Sequence, residues 1–165
     1  MKNSLTLLFA MAIATLSFAQ SKSNKVPSVK IKDLMGNTID TGTLENDGKP
    51  MIISFWATWC SPCKRELNSY AEHYEDWQDE TGVKIVAVTI DDQRSVSRVG
   101  PYVNSVEWEY EILLDSNKDF ARAMQVINVP HTFLVDGSGN IVWQHNNYSD
   151  GDEEELYEEL VKISK

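Results

Sequence analysis

The chain changes period at residue 60. Met51 to Trp56 is a short apolar run with Ser54 its one polar residue, the pattern of a strand covered on both faces. From Ser61 onward Leu67, Tyr70, Ala71, Tyr74 and Trp77 recur at intervals of three and four, with Lys, Glu, Asp and Gln between them, until Thr81-Gly82 ends the pattern. A buried strand running straight into an amphipathic helix of about five turns needs cover on both sides of a sheet, so it forces a layered α/β arrangement.

The rest of the chain keeps up the alternation. Val29, Ile31, Thr38 and Ile39 flank Met35-Gly36-Asn37, which predicts a small N-terminal hairpin, and residues 41–50 are rich in turn formers. Residues 83–90 read as a second buried strand and 95–105 as a weaker helix interrupted by Gly100-Pro101. Residues 110–114 read as a strand, 118–126 as a short helix, and 132–135 and 140–144 as strands joined by Asp136-Gly137-Ser138-Gly139. In residues 150–165 the acids gather first, Leu156 and Leu160 follow, and Lys162 and Lys165 close, which suits the dipole of a terminal surface helix. The order predicts a mixed central β-sheet with helices on both faces.

Residues 1–19 read as an address. Lys2 supplies a positive charge, residues 5–16 are almost wholly apolar, and Ser17-Phe18-Ala19 places small residues where a signal peptidase cuts. The apolar run is shorter than the roughly 20 residues that span a bilayer, so cleavage after Ala19 is expected rather than retention as an anchor. Residues 20–28 are polar and read as a flexible lead-in to one domain over 29–165. Among 165 residues, 25 acids stand against 15 bases, a net charge of −10. No Lys/Arg cluster breaks this balance, which argues against a nucleic-acid partner. Removal of the signal leaves 14 bases and makes an acidic exported protein.

Only two cysteines are present, too few for a disulfide framework or a four-cysteine zinc site. They fall in Trp59-Cys60-Ser61-Pro62-Cys63-Lys64, at the strand-to-helix junction. A thiol at a helix start faces unpaired N–H groups and the positive end of the dipole, which favours its thiolate. Cys60 is therefore expected to be the nucleophile. Cys63, one turn inside, is expected to resolve the mixed disulfide, and Pro62 suits a helix start. Two other readings stand beside this: a structural disulfide, which so short a loop makes unrewarding, and a copper or zinc site, for which His131 is the available further ligand.

At these residues the sequence resembles the thioredoxin superfamily, and within it the exported thiol-disulfide reductases of the TlpA and ResA type, related to the AhpC/TSA group. Phe55-Trp56-Ala57-Thr58-Trp59-Cys60-Ser61-Pro62-Cys63 resembles the active-site stretch, and Val129-Pro130-His131-Thr132-Phe133-Leu134-Val135-Asp136 the second signature. The resemblance implies a thioredoxin-like fold and a cis Val129-Pro130 bond that brings the Val129 backbone beside Cys60. Val129, Pro130, Pro62 and Trp59 would then line the groove where a substrate chain binds. Two positions depart from the pattern. Cytoplasmic thioredoxins carry a buried Asp six residues before the first cysteine, where this chain has Ser54. Glu66, three residues after Cys63, is then the expected acceptor of the Cys63 proton, as in the TlpA and ResA type. Asn68 stands where many relatives have a helix-kinking proline.

The resemblance thus implies an exported oxidoreductase that reduces protein disulfides without a bound cofactor. A membrane electron donor would recharge it, and apocytochrome c is the suggested client. A thiol oxidase or isomerase is the alternative within the class. From another class comes a copper-binding chaperone using Cys60, Cys63 and His131. His73 and His145 read as solvent-facing. Arg94 and Arg98 read either as a solvated face or as contacts for an acidic partner.

Overall fold

A computed structural model describes residues 24–165. The expected signal at 1–19 and the first residues of the lead-in lie outside the described residues. Lys30–Asp33 (β1) and Thr38–Asp40 (β2) form the expected hairpin. Its turn places Gly36 at φ +87, a conformation in which a side chain would be strained.

Met51–Trp56 (β3), Lys84–Thr89 (β4) and Glu111–Leu114 (β5) run parallel to one another. His131–Val135 (β6) pairs antiparallel with β3, and Ile141–Asn146 (β7) pairs antiparallel with β6. The sheet order is β2-β1-β5-β4-β3-β6-β7. With a neighbour on each side and both faces covered, every residue of β3 is buried, which is why its sequence shows no polar alternation.

Among the described residues four α-helices accompany the sheet: Ser61–Thr81 (α1), Val99–Val106 (α2), Asp119–Ala123 (α3) and Asp152–Ile163 (α4). Alternate residues of β3 look to opposite sides. Ser54 meets Glu66 of α1, and Trp56 packs on Tyr102 of α2 and on Trp108. Phe55 meets Phe120 of α3 and Phe133 of β6 on the other side. α4 joins α1, with Trp77 and Tyr157 stacked 5.7 Å apart. Helices on both faces of a mixed sheet, with an N-terminal hairpin, are the expected thioredoxin-like architecture.

The termini of α1 follow from its residues. Cys60 is its N-cap, Pro62 sits in the first turn where no N–H is needed, and Gly82 closes it at φ +68. Asn68 leaves α1 continuous and takes a hydrogen bond from Trp108 Nε1 at 2.9 Å. In α4 the acids Asp152, Glu153, Glu154 and Glu155 fill the first turn and Lys162 the last, while Leu156 and Leu160 are fully buried.

Two expectations need correction. The helix over 95–105 breaks earlier than Gly100-Pro101: a 3-10 turn covers Val96–Arg98, and α2 begins at Val99. Pro101 therefore lies in a first turn, where its missing N–H has no intrahelical partner to lose. Residues 24–28 of the lead-in are not loose. Val26 N–H donates to Gly139 O, Ile141 N–H to Asn24 O, and Ser28 Oγ to Asp40, so ordered packing starts before residue 29. Backbone pairing of this kind has no signature in a polar, Pro-containing sequence. Among the described residues no helix is long and apolar enough to cross a membrane.

Candidate active site

β3 ends at Trp56, and a tight turn with Cys60 N–H on Ala57 O at 3.0 Å delivers Cys60 to the start of α1. Cys60 and Cys63 are joined as a disulfide with their Cα atoms 5.4 Å apart. The Cys63 N–H donates to Cys60 Sγ at 3.3 Å. When the pair is reduced, this donor and the helix N-terminus behind it favour the Cys60 thiolate. Cys60 is 5% exposed and Cys63 is fully buried, so of the two cysteines Cys60 alone reaches solvent.

The loop before β6 closes the other side. The Val129-Pro130 bond is cis, and the Val129 carbonyl oxygen lies 3.7 Å from Cys60 Sγ. Pro130 is buried, Val129 half-buried and Pro62 half-buried. Trp59 is 58% exposed, so it is not a core tryptophan but an open aromatic face beside the disulfide. Ile127, two residues before Val129, is 93% exposed.

Asp91 holds the turn in place, and the sequence reading missed it. It is fully buried at the end of β4 and accepts from Thr58 N–H (2.7 Å), Thr58 Oγ1 (2.7 Å) and Thr89 Oγ1 (2.6 Å). Burial pushes its carboxyl up, yet the bonds from Thr89 and Thr58 outweigh burial and hold it below the ordinary value. Asp91 thereby fixes the backbone that carries Trp59 and Cys60. Its only sequence signal was an acid directly after an apolar strand.

Glu66 is 1% exposed, not a solvated surface carboxylate. Its Oε2 accepts from Ser54 Oγ at 2.9 Å, and its Oε1 from Thr132 Oγ1 at 3.0 Å and Tyr70 Oη at 3.1 Å. Burial pushes its pKa from 4.5 up to about 7; the hydroxyls pull it back only in part, and nearby Asp152 adds to the rise. Glu66 lies on α1 three residues after Cys63, so a carboxyl able to take or give a proton near neutrality shares the helix face of the buried sulfur. Ser54, which replaces the acid of cytoplasmic thioredoxins, serves as a donor to this carboxyl.

His131 is brought to the neighbouring strand register but to the other side of the sheet from Glu66. It stacks on Phe133 at 4.3 Å, and its Nε2 lies 3.2 Å from Gln144 Oε1. Burial holds its ring below the ordinary histidine value. Among the described residues no group of three or more His, Cys, Asp or Glu side chains gathers as a metal site. His73 is exposed and stacks on Trp77, whereas His145 is half-buried with Nε2 3.2 Å from Asp152. Arg94 is exposed and pairs with Asp92.

Comparison with known proteins places this geometry in context. Residues 23–144 match the AhpC/TSA family. The chain is 30% identical to thiol-disulfide oxidoreductase ResA of Bacillus subtilis over 122 residues, 74% of this chain and 65% of that protein. It thus spans just under two thirds of that relative's length. It is also 30% identical to sporulation thiol-disulfide oxidoreductase A of the same species, over 74% of this chain and 73% of the other. A thioredoxin-like protein from Porphyromonas gingivalis superposes with a TM-score of 0.77 at 49% identity, covering 86% of this chain and 93% of that one.

Proposed function

The chain belongs to the AhpC/TSA family, and from that premise we propose that it is an exported thiol-disulfide oxidoreductase that reduces protein disulfides. The observation that carries this reading is the Cys60–Cys63 pair, with one sulfur capping a helix and facing the Val129 carbonyl and the other buried behind it. The named relatives are thiol-disulfide oxidoreductases, which supports the same class.

In the reduced protein the Cys60 thiolate attacks a client disulfide. One client sulfur leaves as a thiolate and takes a proton, and the other stays bound to Cys60. Cys63 then loses its proton to Glu66, attacks Cys60 Sγ, and releases the second client sulfur as the Cys60–Cys63 disulfide forms. Two electrons pass from the pair to the client, and no bound cofactor is required. An electron donor in the membrane restores the dithiol. Trp59, Pro62, Val129 and Pro130 hold the client backbone, which pairs with Val129 as an added strand. The expected client is a protein whose cysteines must stay reduced in an oxidising compartment, as the haem-attachment cysteines of apocytochrome c must.

Insulin reduction tests the activity directly. The reduced protein, supplied with dithiothreitol, is expected to precipitate the insulin B chain faster than dithiothreitol alone. Failure to accelerate, combined with oxidation of reduced, unfolded ribonuclease by the disulfide form, would replace the reductase with a thiol oxidase.

A further inference from the structure

Among the described residues, the carboxyl of Glu66 is held only by hydroxyls, from β3 (Ser54), β6 (Thr132) and its own helix (Tyr70). Charged or titratable groups that act on this carboxyl also include Tyr110 beside β5, whose hydroxyl donates to Leu67 O at 2.8 Å, and Asp152 at the start of α4, while Cys63 lies three residues before Glu66 on α1. Tyr148, from the loop before α4, faces Tyr70. None of these groups is a lysine or arginine.

That donor set has a consequence. A guanidinium or ammonium beside a carboxylate only donates, so it pins the charged form. A hydroxyl both donates and accepts by turning about its C–O bond, so it serves a charged or a neutral carboxyl without backbone movement. The three hydroxyls are not equivalent. A phenol is a stronger donor and a weaker acceptor than an aliphatic hydroxyl, and burial together with the adjacent Glu66 pushes the Tyr70 phenol well above its ordinary value, which keeps its proton in place. Among the described residues Ser54 is the one donor to Oε2, and an aliphatic hydroxyl can turn to accept from a protonated oxygen.

The geometry points to Tyr70 as a positioning residue for the proton step: its phenol holds Oε1 in both protonation states of Glu66, so the carboxyl keeps one orientation and exchanges its proton at Oε2, on the Ser54 side. This rests on Glu66 as acceptor of the Cys63 proton. The proton leaves the Cys63 sulfur as it becomes a thiolate, resides on Oε2 while Ser54 accepts from it, and returns when the pair is reduced again. Electrons move only between sulfurs.

Tyr70→Phe keeps the ring, which lies 5.7 Å from that of Trp77, and removes one O–H. Carbon-13 NMR of the Glu66 carboxyl in the oxidised protein is expected to show its midpoint moving up by about one pH unit, the size of one lost bond to a charged acceptor. The pH profile of mixed-disulfide resolution should move with it. Replacing Tyr70 with 3,5-difluorotyrosine, a stronger donor with nearly the same shape, should move the midpoint down, a response that a packing role would not give. An unchanged midpoint in both variants overturns the assignment. If Glu66→Gln resolves slowly while the Tyr70 variants leave the midpoint fixed, Tyr70 alone falls. If Glu66→Gln resolves at the wild-type rate, the reading of Glu66 fails, and the proton step assigned to Tyr70 fails with it.

Discussion

Cys60→Ser is expected to reduce insulin no faster than the background reductant, whereas Cys63→Ser should accumulate as covalent adducts with its clients. The asymmetry follows from position. Cys60 is the cysteine with some exposure, it caps α1, and it receives the Cys63 N–H at 3.3 Å, so it carries the stabilised thiolate. A serine hydroxyl at this site stays protonated at neutral pH and forms no disulfide. Cys63 is fully buried and cannot meet a folded client, but it reaches Cys60 Sγ from one turn along the helix. Without it the mixed disulfide has no internal attacker and persists until an outside thiol arrives. Non-reducing gel electrophoresis of the Cys63→Ser protein, followed by mass spectrometry of the captured chains, reads this outcome and identifies the clients. Adducts formed by Cys60→Ser in place of Cys63→Ser would reverse the two roles.

The second large effect belongs to Glu66→Gln, which should slow resolution of the mixed disulfide by about 10²-fold, the usual loss when a positioned proton acceptor is removed. Initial attack by Cys60 should change far less. The same residue writes a signature on stability. Its pKa rises from 4.5 to about 7 in the folded oxidised protein because burial disfavours the charge. A group raised in this way contributes stability that is fully present below its unfolded value of 4.5 and is lost as pH rises through about 7. At about 1.4 kcal/mol per unit the contribution is about 3 kcal/mol. His131, held below its ordinary value by burial, acts in the opposite sense, because its contribution is present at high pH and lost as pH falls. The wild-type slope is therefore a resultant, and the difference between wild type and Glu66→Gln isolates the carboxyl. Urea denaturation at about pH 5 and about pH 8 should show the variant gaining on the wild type by roughly that amount at the higher pH. A pH-independent difference would mean that Glu66 is not titrating in this range.

Much of this architecture is legible in the residues because burial imposes periods. The apolar run of β3, the three-and-four spacing of α1 and the paired glycines before β7 each state a local geometry that tertiary packing only completes. The cysteine spacing and the Val129-Pro130 signature were readable for the same reason: each needs one backbone geometry. The parts that stayed hidden depend on contacts across the fold. The sequence offered Glu66 as a proton acceptor through the family resemblance, but not its burial, which arises only when Ser54 of β3 and Thr132 of β6, opposite each other in the antiparallel register, close over it. The strand parity of Ser54 and Thr132 was available as a signal, and so was the spacing of four between Glu66 and Tyr70. Tyr70 shows in the sequence only its apolar ring, and Asp91, two residues past β4, takes its hydrogen bonds from Thr89 and from Thr58 in the turn before α1. The lead-in looked flexible because backbone hydrogen bonds leave no trace in side-chain pattern.

The reduction potential of the Cys60–Cys63 pair tests the central claim most directly. Equilibration against glutathione or dithiothreitol mixtures, read by tryptophan fluorescence or thiol alkylation, gives the value at pH 7. A protein that reduces client disulfides should lie well below about −150 mV, toward the roughly −270 mV of thioredoxin. A value above about −150 mV, near the roughly −120 mV of a strong disulfide donor, would reverse the direction of electron flow and contradict the reductase assignment.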